Sequence, residues 1–197
     1  DTYSIPLSRN AVPPTLLRMD VSFWQDSLDE RLSVTANGSA IGSLMLDVGR
    51  LLPIVLVKEA PQIESGSTFL PGITLAGHTL LSDVGSETHF MLFWWGEQPI
   101  YTDWTVFVHM LNATGEIVAQ ADGPPLNGDW PTSAWEPGHS VRESRRLDYS
   151  SALLPGEYSV LVGLYEPVSG LRADAYSPDG SEWPDRAVPL MTVRVAE

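Results

Sequence analysis

Trp130 and Trp135 stand five residues apart inside the most turn-rich stretch of the chain, residues 122–139, which also holds Pro124, Pro125, Gly128, Pro131, Pro137 and Gly138. Sugar rings present apolar C–H faces that stack on aromatic rings, so two tryptophans on one long loop could form a carbohydrate platform. The competing reading folds both rings back as plugs over the edge of the domain, because burying an indole removes a large apolar area from water. His109 sits in a run whose neighbours alternate: Val106 and Val108 share one face, Phe107 and His109 the other. It could line a ligand pocket facing the long loop, or be a half-buried histidine bonded to a loop carboxylate such as Asp122. Asp122 itself could join Asp129 and loop carbonyls around calcium, but the alternating acidic positions of a calcium loop are missing. The commoner task of an Asp before Gly-Pro-Pro is to pin a turn through its own backbone.

Catalytic readings have less to work with. Glu97, Asp103, Asp122, Asp129 and Glu136 supply carboxylates in number, but none sits in a recognisable acid/base setting of the kind glycoside hydrolysis needs. No Gly-x-Ser-x-Gly turn marks a hydrolase nucleophile. His78, His89, His109 and His139 are scattered without a close metal-binding pair, and no cysteine exists to make a disulfide, a zinc–thiolate site or a nucleophile. Neither a metal nor an organic cofactor is expected, and no catalytic residue is assigned. Asn37-Gly-Ser39 and Asn112-Ala-Thr114 fit the glycosylation sequon but read more readily as turn residues.

The elements that must position these residues are strands. Trp104–Leu111, the Asn112–Gly115 loop and Glu116–Gln120 spell a hairpin. Glu157–Tyr165, His89–Trp95 and Ala187–Val195 are further strands, with Ile73–Ala76 and Val141–Leu147 as weaker ones. Trp94 and Trp95 are adjacent on one strand, so their side chains point to opposite faces. One of them therefore faces away from the core unless a second layer covers it. The apolar run Leu51–Val57, interrupted by Pro53, reads as a buried strand and is far short of the roughly 20 residues of a membrane span. With 16 glycines, 16 prolines and no amphipathic helix longer than two turns, the fold expected is an all-β antiparallel sandwich, immunoglobulin-like or jelly-roll.

A net charge of −14 argues against nucleic acid and against docking on an anionic membrane. The one basic cluster, Arg142, Arg145 and Arg146 around Glu143, is too small for a phosphate groove. An internal repeat links Val21–Trp24, Arg31 and Asn37-Gly38 with Val162–Tyr165, Arg172 and Asp179-Gly180. Residues 1–60 are accordingly either the end of a preceding sandwich, with Pro61–Pro71 as a linker, or part of the same one as 61–197. Asp1 opens no signal peptide and reads as a cut inside a longer protein.

From Phe69 onward the order of motifs is informative: Gly72–Gly77, Thr102–Leu111, Val118–Pro125, Trp130–Gly138, Leu154-Pro-Gly-Glu-Tyr158 and Val162–Pro167. Together they resemble a β-sandwich region near the C-terminus of bacterial membrane glycosyltransferase-like proteins of the mannosyltransferase type, especially in Chloroflexi-like bacteria. The segment His139–Arg146 departs from that pattern. The resemblance implies an extracytoplasmic domain of the cell envelope, tethered to the membrane-embedded remainder of a parent protein and not itself inserted in the membrane. The function expected is a non-catalytic accessory module contacting glycan or lipid-linked sugar through Trp130, Trp135, His109 and Asp122. A purely structural or protein-interaction domain is the alternative, and a glycoside hydrolase-like enzyme comes third.

Overall fold

The computed structural model describes residues 60–195 apart from Pro71 and, upstream of them, the backbone of six strand segments between Thr15 and Leu51. The chain divides into two compact units, Asp1–Ile54 and Val55–Glu197.

In the first unit β1 (Thr15–Val21) pairs antiparallel with β6 (Leu44–Leu51). Between them lie two short ribbons, β2 (Trp24–Gln25) with β3 (Glu30–Arg31), and β4 (Thr35–Ala36) with β5 (Ser39–Ala40). The apolar run expected as a strand over Leu51–Val57 lies, beyond Leu51, outside the described residues.

The second unit is an antiparallel β-sandwich. One sheet has five strands in the order β12–β9–β8–β7–β14: Ser140–Asp148, Glu87–Gly96, Ile73–Val84, Ile63–Phe69 and Ala175–Tyr176. The other has four in the order β11–β10–β13–β15: Ile117–Gln120, Thr105–Leu111, Gly156–Tyr165 and Val188–Val195. Among the described residues, helix is confined to three short 3₁₀ turns, and no helix is long and apolar enough to cross a membrane.

Period-two alternation builds the core. Phe90, Leu92 and Trp94 of β9 face Val106, Val108 and Met110 of β10 and Val160, Val162 and Leu164 of β13 across the interior. Phe107 points the other way and lies on Gly163, its partner across the ladder; a Cβ there would come within 2.3 Å of the ring. The chain passes repeatedly between the sheets, so each crossing needs its own fastening. At one crossing, Tyr158 at the start of β13 donates its hydroxyl to the Leu154 carbonyl at 2.8 Å. This is the tyrosine corner of Greek-key sandwiches, and it explains the Leu154-Pro-Gly-Glu-Tyr158 motif.

The linker reading of Pro61–Pro71 is corrected by β7, a strand inside that stretch. Its Ser65 and Gly66 belong to a bulge between Glu64 and Ser67, while Ser67 and Phe69 face inward. Gly and Ser there serve a deformed strand rather than a flexible tether. The internal repeat has a backbone counterpart. Trp24 pairs with Arg31 as Tyr165 pairs with Arg172, and the ribbon around Asn37-Gly38 matches the bridge of Tyr176 to Glu182 around Asp179-Gly180. β1 pairs with β6 as β13 pairs with β15.

Removing the corner hydroxyl leaves the ring in place and the Leu154 carbonyl without its donor. Tyr158→Phe is expected to lower the unfolding free energy by about 1 kcal/mol. In urea titration this reads as a lower midpoint at unchanged slope.

Candidate functional site

The 122–139 excursion is the crossover from β11 in the four-stranded sheet to β12 in the five-stranded sheet. It is ordered by bonds along its whole length. Gly123 exchanges two backbone hydrogen bonds with Val106, at 3.0 and 3.1 Å. The Thr132 hydroxyl accepts from the Trp104 amide and donates to the Thr102 carbonyl, and the Asp103 carboxylate accepts from the Ser133 amide. At its far end Gly96 and the 138–139 segment exchange backbone bonds of 2.9 and 3.0 Å.

Trp130 and Trp135 are part of this fastening. They are 2% and 1% exposed and pack into the core with Trp94, Ile100 and Val141. The Trp135 indole N–H donates to the Trp130 carbonyl at 3.0 Å, and that of Trp130 to the Ala134 carbonyl at 3.3 Å. The Trp130 ring meets His139 edge-on. Neither indole offers a face to solvent, so the exposed sugar platform expected of this pair is replaced by two plugs. The physical reason is that a crossover spanning the gap between two sheets must cover the core beneath it, and indoles do so with the largest apolar area.

His109 and Asp122 come together as the alternative reading of His109 required, while Asp122, expected to pin a turn through its own backbone, bonds across to β10 instead. Asp122 accepts the Val108 amide on one oxygen at 3.2 Å and faces the His109 imidazole with the other at 3.4 Å. The imidazole packs against Phe107, ring centroids 4.7 Å apart, on the outer face of the four-stranded sheet. Arg172 lies over the same Phe107 ring at 4.4 Å. The pair ties the start of the excursion to β10. Among the described residues no group of three or more Asp, Glu or His gathers as a metal site.

The sequence reading passed over Glu143. Along β12, Val141, Glu143, Arg145 and Leu147 turn inward while Arg142 and Arg146 turn out. The basic cluster is therefore split by alternation. One Glu143 oxygen accepts the Trp94 indole N–H at 2.9 Å; the other accepts Arg145 at 2.7 Å and the Leu126 amide at 3.3 Å. Arg145 reaches on to the carbonyls of Gly123 and Pro124. Leu126 and Asn127 hold positive φ of 49° and 57° within this grip, a backbone cost met by the surrounding contacts. Burial pushes the Glu143 carboxyl above its ordinary value, against the pull of Arg145, Leu126 and Trp94.

Two further polar features lie on the five-stranded sheet. His78 is buried on the inner side beside Leu92, its Nε2 has no hydrogen-bond partner among the described residues, and burial lowers its pKa from 6.5. On the outer side Trp95 is half-buried and borders a groove of about 570 Å³ with Pro61, Glu64, Ser65, Ala76 and Pro178. The alternation of Trp94 and Trp95 was legible in the sequence; the groove, which joins β7, β8 and β9, was not.

Glu143→Ala leaves the Arg145 guanidinium buried without its counter-charge and is expected to cost about 3–5 kcal/mol. Glu143→Leu combined with Arg145→Met should recover most of that in denaturant melts. Exchange of the Leu126 amide should nevertheless be faster in the double variant than in the wild type, because the carboxylate that accepts it is gone. His78 titrates near 6.5 when unfolded and lower when folded. The unfolded chain thus binds its proton first, and stability is lost as pH falls from 6.5 toward the folded value. The pH dependence of unfolding between about 7.5 and 5.5 should flatten in His78→Phe.

No family model matches the chain, and no curated protein matches it. Among solved structures it is similar to a β-glucuronidase from glycoside hydrolase family 2, at 12% identity and a TM-score of 0.36, over 54% of this chain. The chain spans 10% of that structure's length.

Proposed function

We propose that the 60–195 sandwich is a non-catalytic accessory module of an extracytoplasmic envelope protein, and that it spaces or assembles its parent rather than transforming a substrate. The observation that carries this reading is the fate of the reactive side chains on the long crossover and on the strand it leads into. Trp130 and Trp135 are interior, Glu143 is engaged by Trp94, Arg145 and Leu126, and Asp122 is engaged by Val108 and His109. Each group is committed to holding the crossover on the sandwich.

The repeat supports the same reading. The closing pattern of the sandwich recurs as backbone pairing upstream, Trp24 with Arg31 as Tyr165 with Arg172, as in chains built from successive similar modules. The motifs from Phe69 to Pro167, which resemble a domain carried by membrane glycosyltransferase-like proteins, support an envelope location and attachment to a membrane-embedded parent.

The test uses the whole chain against chromogenic glycosides and esters from pH 4 to 9. Turnover should stay at background, and Trp135→Ala should lower stability by about 3–5 kcal/mol, as deletion of a core indole does. Turnover that disappears in Glu143→Gln would replace this reading with an enzymatic one.

A further inference from the structure

Three facts converge on the outer side of the five-stranded sheet. First, Trp94 is committed to the core through its indole bond to Glu143, so its neighbour Trp95 must emerge on the opposite face. Its partners across the ladders, Thr74 and Ser140, are short. Second, the adjoining ladders are both broken beside it. β7 bulges at Ser65-Gly66, between the pairs Glu64–Gly77 and Ser67–Leu75. β8 carries the extra residue Ala76 between its pairs with Trp94 and Phe93. Third, the break is built with two glycines at positive φ, one of which has no room for a side chain. Gly66 has φ +68°, and Gly77 has φ +153° with room for no Cβ, since one would lie 2.0 Å from the Ile63 carbonyl oxygen. Bulges of this kind re-aim strands at functional sites.

The result is the groove of about 570 Å³ whose lining includes Trp95, Ala76, Pro61, Pro178, Glu64 and Ser65. Its size suits a small ring with space for a neighbour. Its chemistry is selective. Among the described residues no Lys, Arg or His lines it, so an acidic ligand finds no counter-charge from them. A quaternary ammonium is held by several aromatic rings, and among the described residues Trp95 is the one aromatic ring here, opposed by Pro and Ala. Apolar surface beside the exposed carboxylate of Glu64 matches a ring with C–H faces and hydroxyl edges.

We propose that this groove binds a neutral pyranose unit, its C–H face stacked on Trp95 and its hydroxyls donating to the Glu64 carboxylate. The site is separate from the crossover and adds a ligand to a module whose spacing role does not depend on it.

The experiment is calorimetry and saturation-transfer NMR on the whole chain. The probes are methyl glycosides of glucose, galactose and mannose and their tetrasaccharides, with glucuronate as the anionic control and choline as the cationic one. A neutral glycoside should bind with a dissociation constant on the order of 1 mM for a single ring. Trp95→Ala should weaken it about tenfold or more while Trp95→Tyr keeps most of it. Glu64→Gln, at an exposed position that cannot unfold the domain, should weaken it several-fold. The proposal is overturned by silence from every neutral glycoside, by binding that survives Trp95→Ala with the fold intact, or by choline binding where the glycosides do not. None of these outcomes bears on the spacing role.

Discussion

A single buried carboxylate ties two neighbouring strands of the five-stranded sheet to the crossover that arrives from the other sheet. Glu143 stands on β12, accepts a hydrogen bond from the Trp94 indole on β9, and accepts others from Arg145 and from the Leu126 amide of the crossover. Buried charge of this kind is expensive unless paired and hydrogen-bonded, and here the pairing is supplied by three separate parts of the chain. The arrangement can therefore form only when β9, β12 and residues 123–126 are all in place. It fixes which way the adjacent tryptophans of β9 divide, since Trp94 must face Glu143. That choice sends Trp95 to the outside.

The crossover follows from the same constraint. A connection of this length between sheets would expose core and leave backbone groups unpaired unless something fills and bonds it. Trp130 and Trp135 fill it, and Thr132, Asp103 and Arg145 bond it. The prolines restrict the chain before folding and reduce the entropy lost on closing the loop. Aromatic and acidic side chains that would carry chemistry on an open loop are thereby turned into its supports.

The outer faces of the two sheets are treated differently. On the four-stranded sheet, Phe107 is flattened on Gly163 and covered by Arg172, with His109 beside it and its imidazole held by Asp122. On the five-stranded sheet two facing bulges open the surface around Trp95. The first face is closed by side chains; the second is opened by deformation of the backbone.

By itself the sequence determined the all-β class, most of the strands and the facing of their residues. Alternation around Val106–Met110 and Glu157–Tyr165 is a local property, and turn residues delimit it. It also determined that Trp94 and Trp95 must part, because adjacent residues on a strand always do. It did not reveal β7, whose Ser and Gly serve a bulge that has meaning only against β8. The repeat was legible as spacing, and pairing gave it structural content. The burial of Trp130 and Trp135, the engagement of Glu143 with Trp94 49 residues away, and the groove beside Trp95 were decided by tertiary structure alone. In each case the deciding partner lies on another strand, and only the register between strands says which residues meet.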